Sequence, residues 1–172
     1  MRKHFYLILL AICCASCIYG GRDDDFNTSQ PPTASFFEPI TLSRSTFEAN
    51  ITVDESRPVS NAGKIYVREN ILYINEKEEG FHVFDNSNPE EPKQLFFVNV
   101  SLASDLAVRN STIYVHHAVD LVALTLDVAN KSVTETSRTR DVFPPLNSPD
   151  GFPASFFNVP ENEVIIGYRP KN

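Results

Sequence analysis

The side chains in this sequence that could bind a metal or transfer a proton lie mainly in one short stretch. His116, His117 and Asp120 come nearest to a set of zinc ligands, with Asp105 and His82 as further candidates. Neighbouring residues of a strand point to opposite faces, so the two histidines could bind one ion only at a bulge, and the pair is more typical of a strand end or a turn. We therefore assign no catalytic residue, no metal ligand and no cofactor. A metal-dependent enzyme with a site around His116, His117 and Asp120 is kept as an alternative.

The elements that must position these side chains are predicted by an internal repeat. Residues 65–68 match residues 106–109 at an offset of 41, and residues 72–74 match residues 113–115 at the same offset. A period near 41 residues is typical of a four-stranded propeller blade. In each unit we recognise three short strands, rich in β-branched and aromatic residues and separated by turn signals. Strands joined by such short turns must be antiparallel neighbours.

The segments on either side of the repeat predict a helix and a last strand. Residues 43–50 carry the helical signal, with Ser45 and Glu48 as a capping box and Phe47 as a residue that could pack on a sheet. Residues 163–168 predict a strand of a third, partial sheet. The predicted fold class is therefore all-β: antiparallel, propeller-blade-like sheets from two repeats of about 41 residues plus a partial third, with one short helix near the N-terminus of the domain.

Two units cannot close a propeller, because closure takes at least four blades. The sheet edges must then be covered by the flanking segments, by another copy of the chain or by a partner. This is the strongest indication in the sequence that the protein binds something.

The first residues predict a targeting segment. Arg2 and Lys3 precede an apolar run at 5–12, which is far shorter than the ~20 residues that span a bilayer. Ala15 and Ser16 lie directly before Cys17, and this arrangement resembles a bacterial lipoprotein signal, in which the cysteine is acylated and becomes the mature N-terminus. The resemblance implies lipidation of Cys17, with Cys13 as the second candidate, and an ordinary cleaved signal is the alternative.

The domain organisation follows from this assignment. Residues 1–16 are predicted to be a lipoprotein signal peptide, residues 17–37 an acidic and polar tether, and residues 38–172 the β-repeat domain. The run of three aspartates at 23–25 resembles the short acidic signal that sends some lipoproteins to the outer face of the outer membrane. We therefore expect a cell-envelope protein that is lipid-anchored to the outer membrane and exposed at the surface.

The two copies of the repeat share apolar strands that end near an Asp. The pattern is carried by residues 63–67, 72–76, 80–89 and Pro92 in the first copy, and by residues 105–108, 121–124 and Asp127 in the second. It resembles the LVIVD repeat family of bacterial envelope proteins, which is related to β-propellers. The resemblance implies a propeller-related fold and assigns no activity.

Charge and sequence motifs restrict the function classes. After removal of residues 1–16 the chain has 13 basic and 22 acidic residues, a charge of −9, which argues against a nucleic-acid partner. No hydrolase elbow, zinc-protease helix or phosphate-binding glycine loop occurs. We expect a non-catalytic binding module that contacts the membrane through its N-terminal lipid. Its expected partner is an envelope protein or an extracellular polymer. Copies of the chain are also expected to self-associate through exposed sheet edges. The metal-dependent enzyme would act in the same envelope. Five Asn-X-Ser/Thr patterns leave a secreted soluble glycoprotein as a second alternative.

Overall fold

The computed structural model describes residues 34–172, which form antiparallel sheets with a short helix beside them. The predicted signal peptide, most of the tether and the lipidation site Cys17 lie outside these residues. The elements in chain order are β1 (Phe37–Ser43), α1 (Arg44–Glu48), β2 (Thr52–Asp54), β3 (Ala62–Arg68), β4 (Ile71–Glu76), β5 (Gly80–Asp85), β6 (Lys93–Asn99), β7 (Leu106–Arg109), β8 (Thr112–His117), β9 (Asp120–Asp127), β10 (Ser132–Thr139) and β11 (Glu163–Pro170), with a 3-10 turn at Ala154–Phe156.

The repeat folds into two antiparallel sheets, and this confirms the predicted fold class. Strands β3 to β6 follow one another in one sheet, where β2 pairs with β6, and strands β7 to β10 form the second sheet. We call β3–β6 the first blade and β7–β10 the second blade. Each holds four strands, one more than the sequence indicated. In the second blade the fourth strand, β10, is polar and lacks an apolar alternation. Within the described residues 34–172 the sheets close into neither a barrel nor a propeller.

The hairpin turns explain why both repeats fold alike. Glu69 and Asn110, which are 41 residues apart, both adopt a positive φ (51° and 54°) in the turn between the first two strands of their blades. At the next turn of the first blade Gly80 has φ 139°, and a Cβ there would collide with the carbonyl oxygen of Val98. The turns therefore fix the strand registers on which the faces of both blades depend.

The core lies between the two blades. One face of each blade packs against one face of the other, and strands β3 and β7 meet at the same edge. The fully or almost fully buried residues of this core include Tyr73, Phe81, Val83, Phe96 and Val98 from the first blade and Leu106, Ile113, Val115, Val122 and Leu124 from the second. An ion pair between Lys64 and Asp105 also links the blades. We call these packed faces the inner faces and the opposite ones the outer faces.

The third sheet consists of β1 and β11, which confirms the predicted last strand. Helix α1 follows β1 directly, and its Phe47 is fully buried against Ala118, Val119 and Val164. The predicted capping box was wrong: the helix starts at Arg44, so Ser43 is the N-cap and its Oγ accepts a hydrogen bond from the Thr46 amide at 3.2 Å.

The last residues of the predicted tether take part in this fold. Ser35 is buried and its Oγ donates to the carboxylate of Asp150 at 2.9 Å. Across residues 34–172, no helix is long and apolar enough to cross a membrane.

Candidate functional site

The hairpin between β8 and β9 brings together two of the predicted site residues. His117 ends β8, Asp120 begins β9, and both side chains are fully buried. The Asp120 carboxylate accepts hydrogen bonds from Arg44 Nη1 at 2.9 and 3.0 Å and from Arg138 Nη1 at 2.8 Å. The Asp141 amide adds a further bond at 3.1 Å. Both oxygens of the carboxylate are therefore occupied by donors from three other segments.

The charges of this cluster are set by burial and by the two arginines. Burial, followed by the positive charge of Arg138, lowers the pKa of His117 to about 3, so its imidazole is neutral. Its Nδ1 accepts from Arg138 Nη1 at 3.1 Å, which leaves the proton on Nε2, a buried atom without a partner. The ring stacks on Phe47 with a centroid distance of 4.0 Å. Burial alone would raise the pKa of Asp120, but hydrogen bonds from Arg138, Asp141 and Arg44 outweigh it and lower that pKa.

We name this set, His117, Asp120, Arg44, Arg138 and Phe47, the second-blade cluster. It ties helix α1 and β10, the fourth strand of the second blade, to the end of the β8–β9 hairpin. The carboxylate of Asp120 is saturated by two guanidinium groups and an amide, whereas the neutral imidazole beside it keeps one unpartnered N–H. The arrangement stabilises the contact between the second blade and its flanking segments.

The other predicted candidates lie elsewhere. His116 points to the opposite face, where its Nδ1 donates to the carbonyl of Leu102 at 2.9 Å and its ring lies edge-on to Phe143 at 4.6 Å. Asp105 pairs with Lys64, and His82 belongs to the first blade. The two histidines end the strand on opposite faces, as the sequence predicted. In the described residues 34–172 no group of three or more His, Cys, Asp or Glu side chains is placed to hold a metal ion.

A second buried polar cluster lies in the first blade and was not recognised from the sequence. Glu76 is 1% exposed and accepts hydrogen bonds from the Ser60 hydroxyl at 2.6 Å and the Ser60 amide at 3.1 Å, as well as from the Asn61 amide. His82 Nε2 donates to Glu76 at 3.0 Å, and His82 Nδ1 accepts from the Gln94 amide at 2.9 Å. Burial would raise the pKa of Glu76, but these hydrogen bonds outweigh it and lower the pKa to about 2.

We name Glu76, His82, Ser60, Asn61 and Gln94 the first-blade cluster. It fastens the segment before β3 onto the end of the first blade. One signal in the sequence could have located it, since Glu76 stands 41 residues before His117 and lies on the same face of β4 as Leu72 and Ile74.

The outer face of the first blade is apolar and lies open beyond that cluster. Ile65 and Val67 on the edge strand β3 are each 60% exposed. Their cross-strand partners Ile74 and Leu72 are half-buried, and Phe84 extends the same face onto β5. These five residues form a contiguous surface, because residues directly opposite in an antiparallel pair lie on the same side.

The outer face of the second blade is a groove. Tyr114, 38% exposed, lies in it between Ala107 and Leu121, and Phe143 crosses one end above His116. The groove has a volume of about 480 Å³.

A separate depression of about 440 Å³ lies beside the second-blade cluster. Arg44 and Asp141 line it together with apolar residues such as Phe157 and Val164. Since Arg44 Nη2 and the Asp141 carboxylate already pair at 2.7 Å, these polar groups of the depression satisfy one another.

Comparison of the chain with protein-family models, with curated proteins and with solved structures found no match.

Proposed function

We propose that the chain is a lipid-anchored protein of the bacterial outer membrane whose β-repeat domain is a non-catalytic binding module. Its partner is an envelope protein or an extracellular polymer. The observation that carries the binding role is the open apolar outer face of the first blade. Contiguous apolar surface of this kind on a soluble domain marks an interaction site.

The repeat itself strengthens the argument. Ile65 and Val67 are equivalent, at the offset of 41, to Leu106 and Val108 of the second blade. Leu106 is 3% exposed and Val108 packs against the core, whereas Ile65 and Val67 are each 60% exposed. The second blade buries this face, and the first blade leaves the equivalent face exposed. The exposed face therefore has the apolar composition of a face that is buried elsewhere in the same chain.

The buried ionisable groups support binding rather than catalysis. Asp120 is saturated by arginines, and Glu76 by amides, a hydroxyl and His82. In each cluster the charged groups are paired within the protein and hold a flanking segment against a blade. The exposed surfaces are therefore the better candidates for function.

The anchor is supported by the residues around Cys17 and by the length of chain that follows them. Ala15 and Ser16 precede the cysteine, and the polar segment after it leads to β1 at Phe37. A chain of this length and composition would hold the domain away from the headgroups. The membership in the LVIVD repeat family belongs to the same proposal, and the two four-stranded antiparallel units that pack face to face support it.

The anchor is tested by the intact mass of the protein recovered from its native membrane fraction. We expect a chain that starts at Cys17 and carries acyl mass, and we expect Cys17→Ala to lose that mass while the matched variant Cys14→Ala keeps it. A lipid-free start at another residue would refute the anchor. Added glycan mass would favour the secreted glycoprotein.

The binding role is tested by a photo-crosslinking residue in place of Ile65 in living cells. We expect a discrete adduct for a protein partner or a polydisperse one for a polymer. The matched control replaces Phe156, which is 43% exposed and lies in the 3-10 turn that belongs to neither blade. Absence of an adduct at 65, or equal adducts at both positions, would contradict the proposal.

A further inference from the structure

We infer that the outer face of the first blade binds the outer face of the second blade of another copy of this chain, so that copies associate head to tail. The inference rests on the proposed function, because it names the partner of the same open face.

The two repeats turn opposite faces toward the core. The offset of 41 preserves the pairing and register of the first two strands, so each residue of β3 and β4 has one counterpart in β7 and β8. The open outer face of the first blade corresponds to the inner, covered face of the second. The pairs are Ile65 with Leu106, Val67 with Val108, Leu72 with Ile113 and Ile74 with Val115.

The other two faces correspond in the same way. Tyr66 and Tyr73 on the inner face of the first blade are equivalent to Ala107 and Tyr114 on the outer face of the second. The contact inside one chain therefore joins two different kinds of face. Each chain leaves one face of each kind uncovered, and a second copy supplies the missing half of both contacts.

The geometry inside the chain predicts which residues meet between copies. Tyr73 lies beside Val108 and Ile113, with which it lines one small recess between the blades. At the offset of 41, Tyr114 is the equivalent of Tyr73. Val67 and Leu72 are likewise the equivalents of Val108 and Ile113. The same contact between copies therefore places Tyr114 of one copy against Val67 and Leu72 of the next. Both Tyr114 and Val67 are exposed in a single chain.

Charge favours the same arrangement. Lys64 and Asp105 pair across the blades and are themselves equivalent at the offset of 41. In head-to-tail contact, Asp105 of one copy approaches Lys64 of the next. Both side chains are accessible: Lys64 is 65% exposed and Asp105 is 41% exposed.

The groove on the second blade gives this contact a place to occur. Its volume of about 480 Å³ surrounds Tyr114 and is lined by Ala107 and Leu121, which are small or apolar. A contact between two unlike faces is heterologous, and it makes a ring when the rotation closes or a filament when it does not. Since propellers close with about four to eight blades, two, three or four copies would complete one.

The test uses the full chain with one engineered cysteine per copy. The sequence has cysteines only at 13, 14 and 17, so residues 34–172 contain none. Two tagged copies, one with Val67→Cys and one with Tyr114→Cys, are produced together and their disulfides are read on a non-reducing gel. We expect a band at twice the mass of one copy that carries both tags.

The matched control pairs Val67→Cys with Phe156→Cys, an equally accessible position for which no band is expected. A copy with both Val67→Cys and Tyr114→Cys then distinguishes a closed ring, which stops at two to four copies, from a filament, which gives an open ladder. Since both positions are exposed, these variants retain the core.

Two outcomes would overturn the inference. A disulfide between two copies of Val67→Cys, in place of the mixed one, would show symmetric contact. Absence of the mixed disulfide together with a crosslink from position 65 to a different molecule would refute self-association and leave the proposed binding role intact.

Discussion

Glu76 in the first blade and His117 in the second occupy the same position of the repeat, the last residue of the second strand, and both side chains are closed off from solvent. Their charges differ. Glu76 is an anion whose donors are mainly amides and a hydroxyl, with His82 as its one ring partner. His117 is a neutral ring beside Asp120, which is bound by two guanidinium groups.

The difference follows from what packs on each blade end. A loop before β3 offers backbone N–H groups to Glu76, whereas α1 and β10 bring arginines to the hairpin of the second blade. The repeat thus fixes the position of a buried polar residue, and the flanking segment determines which polar residue can be satisfied there. Both clusters hold a flank in place, although neither resembles the other chemically.

The largest effect is expected from the carboxylate between the two arginines. Asp120→Asn leaves the guanidinium groups of Arg44 and Arg138, which are 18% and 7% exposed, without their buried counter-charge. Breaking a buried ion pair by removing one partner costs about 3 to 5 kcal/mol of unfolding free energy. Urea unfolding at pH 7 measures this loss.

The matched variant is Asp141→Asn. Asp141 also pairs with Arg44, but its side chain is 70% exposed, so we expect a loss of about 0 to 1 kcal/mol. Equal losses in the two variants would mean that the network at Asp120 does not stabilise the second blade as the geometry indicates.

The next largest effect is expected at the anion of the first blade, Glu76. The folded pKa of Glu76 is lowered from 4.5 to about 2, so its stabilisation is present above pH 4.5 and is lost as the pH falls toward 2. A shift of this size corresponds to about 3 kcal/mol. We expect Glu76→Gln to be destabilised by about that amount at pH 7, and its unfolding free energy to converge with that of the parent chain near pH 2.

Glu79→Gln provides the control for this comparison. Glu79 is three residues away and its side chain is 52% exposed, where it pairs with Arg57. Urea titrations of the three proteins from pH 7 to pH 2 give the difference curves. A constant gap between Glu76→Gln and the parent chain across that range would refute the assignment of Glu76 as the titrating anion.

The two blades also differ in how much of their structure could be predicted from the sequence. The 41-residue offset predicted antiparallel blades because the turns repeat, as Glu69 and Asn110 show by their shared left-handed backbone. His117 and Asp120 could be singled out because a three-residue separation in a hairpin places them together. Arg44 and Arg138 could not, since they come from segments 76 and 18 residues away from Asp120 whose packing depends on the whole fold. The burial of Glu76 could not be predicted from its neighbours in the sequence, because it arises from a loop that crosses the blade end.

The smallest change in unfolding free energy at pH 7 is expected for substitution of His117. Its contribution is expected to appear as a dependence of stability on pH. Its folded pKa is about 3, so between pH 6.5 and 3 the unfolded imidazole binds a proton that the folded one does not. The unfolding free energy of the parent chain should therefore fall by about 1.4 kcal/mol for each unit of pH below 6.5. His117→Phe keeps the stack on Phe47 and removes both the titration and the unpartnered Nε2–H, so we expect a change within about 1 kcal/mol at pH 7.

Urea unfolding at pH 7 and pH 5 separates these expectations, because the depressed carboxylates lose their contribution mainly below that range. Between pH 7 and pH 5 we expect the unfolding free energy of the parent chain to fall by about 2 kcal/mol relative to that of His117→Phe. His116→Phe, on the opposite face of the same strand, leaves His117 in place and should retain the slope. A parent chain whose stability is flat from pH 7 to pH 5 would mean that His117 is protonated in the folded state, and the contrast drawn between the two blades would then be lost.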